Sequence, residues 1–516
     1  MEYNNSYKNY VMQTCNHALM HSYIYTVILY LICFSFTSFA QNNIVMEKII
    51  LKGLEYSYHF RWDKAEHIFK DMIEKFPERP EGYHFLSSIY AWYYFSSKNK
   101  NDFDTFVSYS NIALDKGDDE LEKKPDDDKL LYLIGSNYSY RAIVFAAAEN
   151  YLDAVWAGKK SDSYLSDALK INPENYDAYL GLGLFSFAAG QTPAAFRWAL
   201  KLAGISGDTE TGLAHIKLAC EKGKYSKIEA QYYYSQIASE YEIASGYLSS
   251  LVKKYPENII FSYSLASFNI KERKLDKAEK ILKKIIKKEE EKFIQVISFS
   301  KFLLGDIYYK KNNFDSAIVY YKKFLESTPD NDYTGIASFR LGISYEITGE
   351  RDSAKIYFGM SDKGNMDLDD DIYAKRKSAI YFKRTLSDNE IAVIKASNLI
   401  DSGNFEVAYD SLTSILDEIV SDKLKAETYL YLSEAAFYLG KYDESISLAS
   451  AALKTDVMDE KWILPYANYF AARANQQLGD EQAVDYFIEQ AEKFSDYDYQ
   501  NRMKNLIYVL KQKKLL

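Results

Sequence analysis

Beyond residue 40, stretches of helically periodic apolar positions alternate with short polar turns. This is the period of helices with one buried face. The turns carry glycine followed by charged or polar residues: Gly349-Glu350-Arg351-Asp352, Gly403-Asn404-Phe405, Gly440-Lys441-Tyr442 and Gly479-Asp480. Pro125, Pro173, Pro256 and Pro329 follow helical stretches, where a ring without an N–H ends the helix. Period-two alternation flanked by hairpin turns is missing, so no sheet is expected.

One spacing recurs. Gly53, Tyr56, Ala65, Phe69 and Pro77 stand at offsets of 3, 12, 16 and 24 from the glycine. Gly305, Tyr308, Ala317, Tyr321 and Pro329 repeat all four offsets, and Gly342, Tyr345, Ala354 and Phe358 repeat the first three. Weaker copies lie at Ala266, Ala278 and Leu282, and at Ser433, Ala436, Ser445 and Ala449. Two antiparallel helices that cross closely need small residues at the crossing, with Gly53 and Ala65 as such a pair and aromatic rings beside it. Neither helix can bury its whole apolar face, so further pairs must stack on it. The spacing resembles the tetratricopeptide pattern. It implies an all-α fold, a right-handed superhelical stack of antiparallel helix pairs (a tetratricopeptide-like α-solenoid), irregular in the N-terminal half.

Residues 181–213 read GLGLFSFAAGQTPAAFRWALKLAGISGDTETGL. Gly181, Gly183, Phe185, Pro193, Gly204, Gly207, Asp208, Gly212 and Leu213 resemble the motif of the tetratricopeptide-repeat family that holds the animal repeat domain 39 proteins and the yeast inclusion-body clearance protein. Glu149 and Gly158-Lys159-Lys160 are similar to the preceding helix of that family, while Thr192, Ile205 and Thr209 depart from its pattern. The resemblance spans roughly 45–290 and implies a helical adaptor near membranes or aggregated proteins, with no catalytic residues. Read from the residues alone, Gly181 and Gly183 admit a neighbouring helix, and Asp208 caps the helix that follows the Gly204–Gly207 turn.

Tyr23 to Ala40 form an uncharged run of 18 residues ending Ser38-Phe39-Ala40 before Gln41. Small residues at those positions suit a signal peptidase, so residues 1–40 are expected to be a signal peptide, with an uncleaved anchor as the alternative and Met20 as an alternative start. The expected division is then 1–40 leader, 41–290 irregular helical domain, and 291–516 regular repeats closed by a terminal capping helix. The leader points to an exported protein, periplasmic or associated with an outer membrane, or one anchored at its N-terminus.

Composition narrows the function. The net charge of −10 argues against a general nucleic-acid binder, which needs a basic face. Tyrosine is abundant at 48 residues, as suits half-buried helix seams. Of Cys15, Cys33 and Cys220, only Cys220 lies beyond the leader, which leaves no intrachain disulfide or cysteine metal site. His59, His67, His84 and His215 form no metal-ligand pair, no Gly-x-Ser-x-Gly elbow occurs, and no metal or cofactor is expected. The acidic runs 117–128 and 367–371 lack the central glycine and terminal glutamate of a calcium loop and read as solvated loops, the second expected to mark a joint between an N-terminal and a C-terminal part.

The expected function is a scaffold that binds another protein, as a peptide or helix, through the concave face lined by the first helix of each pair. The face candidates are Phe302, Asp306, Tyr309, Lys310, Phe339 and Arg340, with His84, Trp92, Tyr140, Phe187 and Tyr263 in the N-terminal part. A membrane-associated adaptor or carrier for lipid or glycan is the alternative, and an enzyme of uncommon type comes last. Nothing in the sequence sets an oligomeric state.

Overall fold

The computed structural model describes residues 44–192, 204–238 and 241–514. The expected leader, Cys15, Cys33 and Pro193 lie outside the described residues. Among the described residues the chain is helical, with short 3-10 turns and no strand. It divides into two compact units, Met1–Trp92 with Phe103–Ile228, and Tyr93–Asp102 with Glu229–Leu516. The units part near residue 228, and the expected onset of regular repeats at 291 lies within the second unit.

The first unit contains α1 (44–58), α2 (Trp62–Lys75), most of α3 (Pro80–Ser97) and of α4 (Lys100–Leu121), α5 (Asp128–Ala147), α6 (Tyr151–Ile171), α7 (Ala178–Gly190) and α8 (Thr209–Lys222). The second follows α9 (Lys227–Ile237) with α10 (Tyr241–Lys254), α11 (Ile259–Lys271), α12 (Leu275–Ile285), α13 (Ile294–Lys310), α14 (Phe314–Leu325), α15 (Thr334–Ile347) and α16 (Arg351–Met360). It ends with α17 (Asp369–Lys383), α18 (Asp388–Asp401), α19 (Phe405–Ile415), α20 (Asp422–Tyr438), α21 (Tyr442–Lys454), α22 (Ile463–Leu478), α23 (Glu481–Glu492) and α24 (Gln500–Lys514). Consecutive helices pack on each other: α13 on α14, α15 on α16, α20 on α21, α22 on α23. These are stacked pairs, an α-solenoid.

The small-residue spacing works more specifically than the sequence suggested. The glycine of the first helix receives the ring at offset 16 in the second. A Cβ on Gly305 would stand 2.6 Å from the Tyr321 ring, and one on Gly342 would stand 2.5 Å from Phe358. The serine copy uses hydrogen bonds instead. The Ser433 hydroxyl donates to the Ser445 carbonyl at 2.8 Å, and the Ser445 hydroxyl returns to the Ser433 carbonyl at 2.8 Å.

The turns inside the pairs share one geometry, a residue with positive φ. Gly349, Gly403, Gly440 and Gly479 adopt it, as do Phe60, Arg273 and Asn312. The non-glycine residues pay of order 1 kcal/mol for that conformation.

The acidic runs are not simple solvated loops. Gly117–Leu121 continue α4. Asp371 is fully buried and accepts the backbone N–H groups of Ile336 and Asn365, each at 2.8 Å. Burial outweighs these donors and pushes its carboxyl up to about 6.

Candidate ligand groove

The second unit encloses a cavity of about 630 Å³ lined from α11, α13, α15, α17, α18, α20, α22 and α24, with a few residues beside them. None of its lining comes from α12, α14, α16, α19, α21 or α23. The first helices of the pairs therefore form the inner wall, and the second helices stand outside it.

Five of the candidates meet here. Asp306, Tyr309 and Lys310 from α13 and Phe339 and Arg340 from α15 all line the cavity. Arg340 pairs with Asp306, which also accepts the Tyr321 hydroxyl at 2.6 Å. Lys310 reaches Asp401 on α18 at 3.1 Å.

The other six do not join them. Phe302 is buried among Tyr321, Phe324 and Tyr333, with ring centroids 5.2 to 6.0 Å away, and belongs to the core. Tyr263, on α11, is half-buried and absent from the cavity lining. In the first unit, His84 is buried against Phe85, with Nδ1 3.4 Å from Asn137 Nδ2 and Nε2 3.5 Å from the Ser136 hydroxyl. Burial pulls its imidazole down to about 3, so it is neutral. Tyr140 is half-buried with its ring 6.1 Å from His84, and Trp92 and Phe187 are half-buried on α3 and α7. A second cavity of about 390 Å³ in the first unit touches none of the four.

Most of the groove wall was not singled out from sequence. It includes Arg273, Glu434, Arg473, Arg502 and the tyrosines 373, 431, 466, 469 and 499. A signal for part of it existed. In three of the copies the residue after the small crossing residue lines the cavity: Asp306 after Gly305, Ile343 after Gly342 and Glu434 after Ser433.

The wall carries seven cations, six carboxylates and eight tyrosines. Arg273 reaches from the α11–α12 turn to Glu434 at 3.5 Å, to the Ile400 carbonyl at 3.1 Å, and over the Tyr438 ring at 4.3 Å. Arg473 lies over Phe437 at 4.1 Å and donates to the Tyr438 hydroxyl at 3.3 Å. Arg502 makes no ion pair or side-chain hydrogen bond with any described residue, nor do the hydroxyls of Tyr309, Tyr373, Tyr466, Tyr469 and Tyr499. Burial, assisted by Asp401, pushes Glu434 up to about 7 against the pull of Arg273, Arg473 and Arg502.

Other reactive groups are accounted for structurally. Cys220 is buried, and burial pushes its thiol up to about 12. His59 and His67 lie near carboxylates of their own helices, Glu55 at 3.3 Å and Asp71 at 3.5 Å. In the motif of residues 181–213, Gly183 and Gly212 form a helix seam, and Asp208 caps α8 by accepting the Thr211 N–H at 2.8 Å.

Tetratricopeptide-repeat family models match residues 161–208 and 300–331. No curated protein matches the sequence. Among solved structures, yeast Tom70 is 13% identical over 90% of this chain and 96% of its own, with a TM-score of 0.22. The Cut9–Hcn1 hetero-tetramer of the APC/C is 12% identical over 88% and 94%, with a TM-score of 0.24. The TPR2AB domain of yeast Sti1, in complex with pHSP90, is 14% identical over 56% and 100%, with a TM-score of 0.20. Superposition scores this low carry no weight beside the helix-pair geometry and the two family-model matches. Those show an α-solenoid that contains tetratricopeptide repeats, and the repeats support a protein-interaction scaffold.

Proposed function

We propose that the chain is an exported protein-interaction scaffold whose second-unit groove holds an extended peptide segment of a partner. The observation that carries this reading is the set of groove-lining tyrosines 309, 373, 466, 469 and 499, whose hydroxyls have no hydrogen-bond partner among the described residues. Rings with free hydroxyls suit a peptide, whose backbone offers acceptors and whose side chains offer apolar surface. Export rests on the uncharged run before Gln41.

The adaptor role implied by the 181–213 resemblance is compatible with a scaffold. Its lipid-carrier form fits the groove poorly, because an acyl chain would desolvate seven cations and six carboxylates without pairing them. A glycan is the stronger form of that second reading, since sugars stack on aromatic rings.

The test uses Tyr309→Phe combined with Tyr469→Phe, which keeps both rings and removes both hydroxyls. Each lost hydrogen bond is worth about 1 kcal/mol. Capture from envelope extracts is expected to recover a stoichiometric protein whose crosslinks map to α13, α15, α20 and α22, with recovery reduced at least tenfold by the double variant. Unchanged recovery, or crosslinks only outside the groove, would count against the reading. A glycan or lipid mass carried by the purified protein in native mass spectrometry would replace it.

A further inference from the structure

One end of the groove has an excess of unmatched donors. Arg273 from the α11–α12 turn, Arg473 from α22 and Arg502 from α24 all act electrostatically on Glu434 of α20. Only Arg273 is paired with it, at 3.5 Å. Arg473 is held by aromatic rings and one tyrosine hydroxyl and has no carboxylate partner among the described residues. Arg502 is exposed and has no partner among them. The hydroxyls of Tyr466, Tyr469 and Tyr499 are likewise unused by described residues. Of the other carboxylates, Asp401 is paired with Lys310 at 3.1 Å, and Asp370 acts on Arg502 and Arg340 from α17.

A guanidinium has five N–H donors and no acceptor. Two of them without carboxylate partners, beside three free hydroxyls, need a ligand rich in acceptors. A carboxylate matches the planar fork best and doubles the strength of each bond.

Glu434 is the obstacle, and its surroundings show how it yields. Asp401 faces it from α18, Arg273 from the α11–α12 turn, Arg473, Tyr466 and Tyr469 from α22, Arg502 from α24, and Tyr431 from its own helix. Burial first, and Asp401 second, already weaken its hold on the charge. A second anion brought beside it makes the charged form costlier still.

We propose that this end of the groove is a carboxylate subsite: Arg473, Arg502 and the tyrosine hydroxyls hold an acidic side chain of the bound segment, and Glu434 takes up a proton and frees Arg273 for the same ligand. The proposal rests on the peptide-groove reading. The proton comes from solvent and stays on Glu434 while the ligand is bound. Because the bound state carries more protons, affinity rises as pH falls through the range where free Glu434 titrates, and levels off below it.

Calorimetric titration of the full chain tests this with three blocked or free decapeptides: acetyl-(Glu-Ala)5-amide, acetyl-(Gln-Ala)5-amide and acetyl-(Gln-Ala)5 with a free C-terminus. The first is expected to bind at least tenfold tighter than the second at pH 7, and to tighten severalfold from pH 8 to 6.5 with proton uptake approaching one. Tight binding of the third alone would shift the ligand from side-chain to terminal carboxylate and overturn the proposal as stated. Arg502→Gln, a change at an exposed side chain, is expected to weaken the glutamate peptide tenfold and leave the glutamine peptide alone. Glu434→Gln is expected to keep binding and lose its pH dependence; retained pH dependence overturns the role of Glu434. Equal binding of the two blocked peptides overturns the subsite and leaves the groove reading intact. No binding of any peptide overturns the subsite too, while the crosslinking result decides the groove independently.

Discussion

Replacing Glu460 by alanine is expected to destabilise the second unit by about 4 kcal/mol, the range seen when one partner is removed from a buried ion pair. The Glu460 side chain is 1% exposed. It accepts Lys377 Nζ at 2.7 Å, Arg376 Nη2 at 2.8 Å and Trp462 Nε1 at 2.8 Å. Arg376 in turn donates to Asp498 at 2.6 Å. One carboxylate thus ties α17 to the segment before α22 and, through Arg376, to the segment before α24. Its loss strands a lysine that is only 10% exposed. Thermal or denaturant unfolding measures the effect, and a change below about 1 kcal/mol would refute the argument. The pH dependence has a definite sign. Burial alone would raise the Glu460 carboxyl, but Lys377 and Arg376 override it and bring it down from 4.5 to about 2. The stabilisation is therefore complete above about pH 4.5 and is lost as pH falls toward 2, where the native and variant chains should converge.

The second large effect is expected at Gly212. A Cβ there would lie 2.5 Å from the Phe187 backbone nitrogen and 2.8 Å from the Gly183 carbonyl oxygen. On the facing helix, a Cβ on Gly183 would lie 2.8 Å from the Gly212 carbonyl oxygen and 2.9 Å from the Ile216 nitrogen. These are backbone atoms, so no rotamer change relieves the clash, and α7 and α8 must move apart. Gly212→Ala is expected to cost about 3 kcal/mol, at the upper end of overpacking penalties. Gly246 is the control. It lies inside α10 with nothing within 4 Å of its added Cβ, so Gly246→Ala should stabilise slightly, as alanine does in a helix. Hydrogen exchange of the α7 and α8 amides separates the two outcomes. Protection as strong in Gly212→Ala as in the native chain would sink the seam argument.

The sequence disclosed the stack because its signals are local. Gly349, Gly403, Gly440 and Gly479 mark turns by the residue type those turns favour. Phe60, Arg273 and Asn312 occupy the same turn geometry with no glycine to mark it, so their turns follow only from the helix pairing around them. The same limit applied to the groove. Asp306, Tyr309, Lys310, Phe339 and Arg340 sit in the two glycine copies and were found. Glu434 follows Ser433, a less distinctive crossing residue, and Arg473 lies on a helix for which no copy of the spacing was read, so both were missed. Arg502 lies on the helix expected only to cap the stack. Phe302 and Phe339 share one offset from their glycines, yet only Phe339 lines the cavity, while Phe302 packs on Tyr333 with ring centroids 5.4 Å apart. That contact comes from the loop before α15, which no offset describes. The glycines of 181–213 were legible as a motif, and the Gly183–Gly212 backbone approach supplies its physical reason.

Arg273 joins α11 to α18 and α20, 161 residues ahead for Glu434, while Asn312 Nδ2 donates to the Lys395 carbonyl at 3.0 Å and Arg376 meets Asp498. A solenoid whose repeats touch only their neighbours can gain or lose a repeat, and its stability is a sum along a line. Here that freedom is gone. Deleting or duplicating any pair between α12 and α19 would carry Arg273 away from Glu434, so the number of repeats in the second unit is set by circumference. The pairs spanned by these contacts are therefore expected to melt together rather than fray one after another.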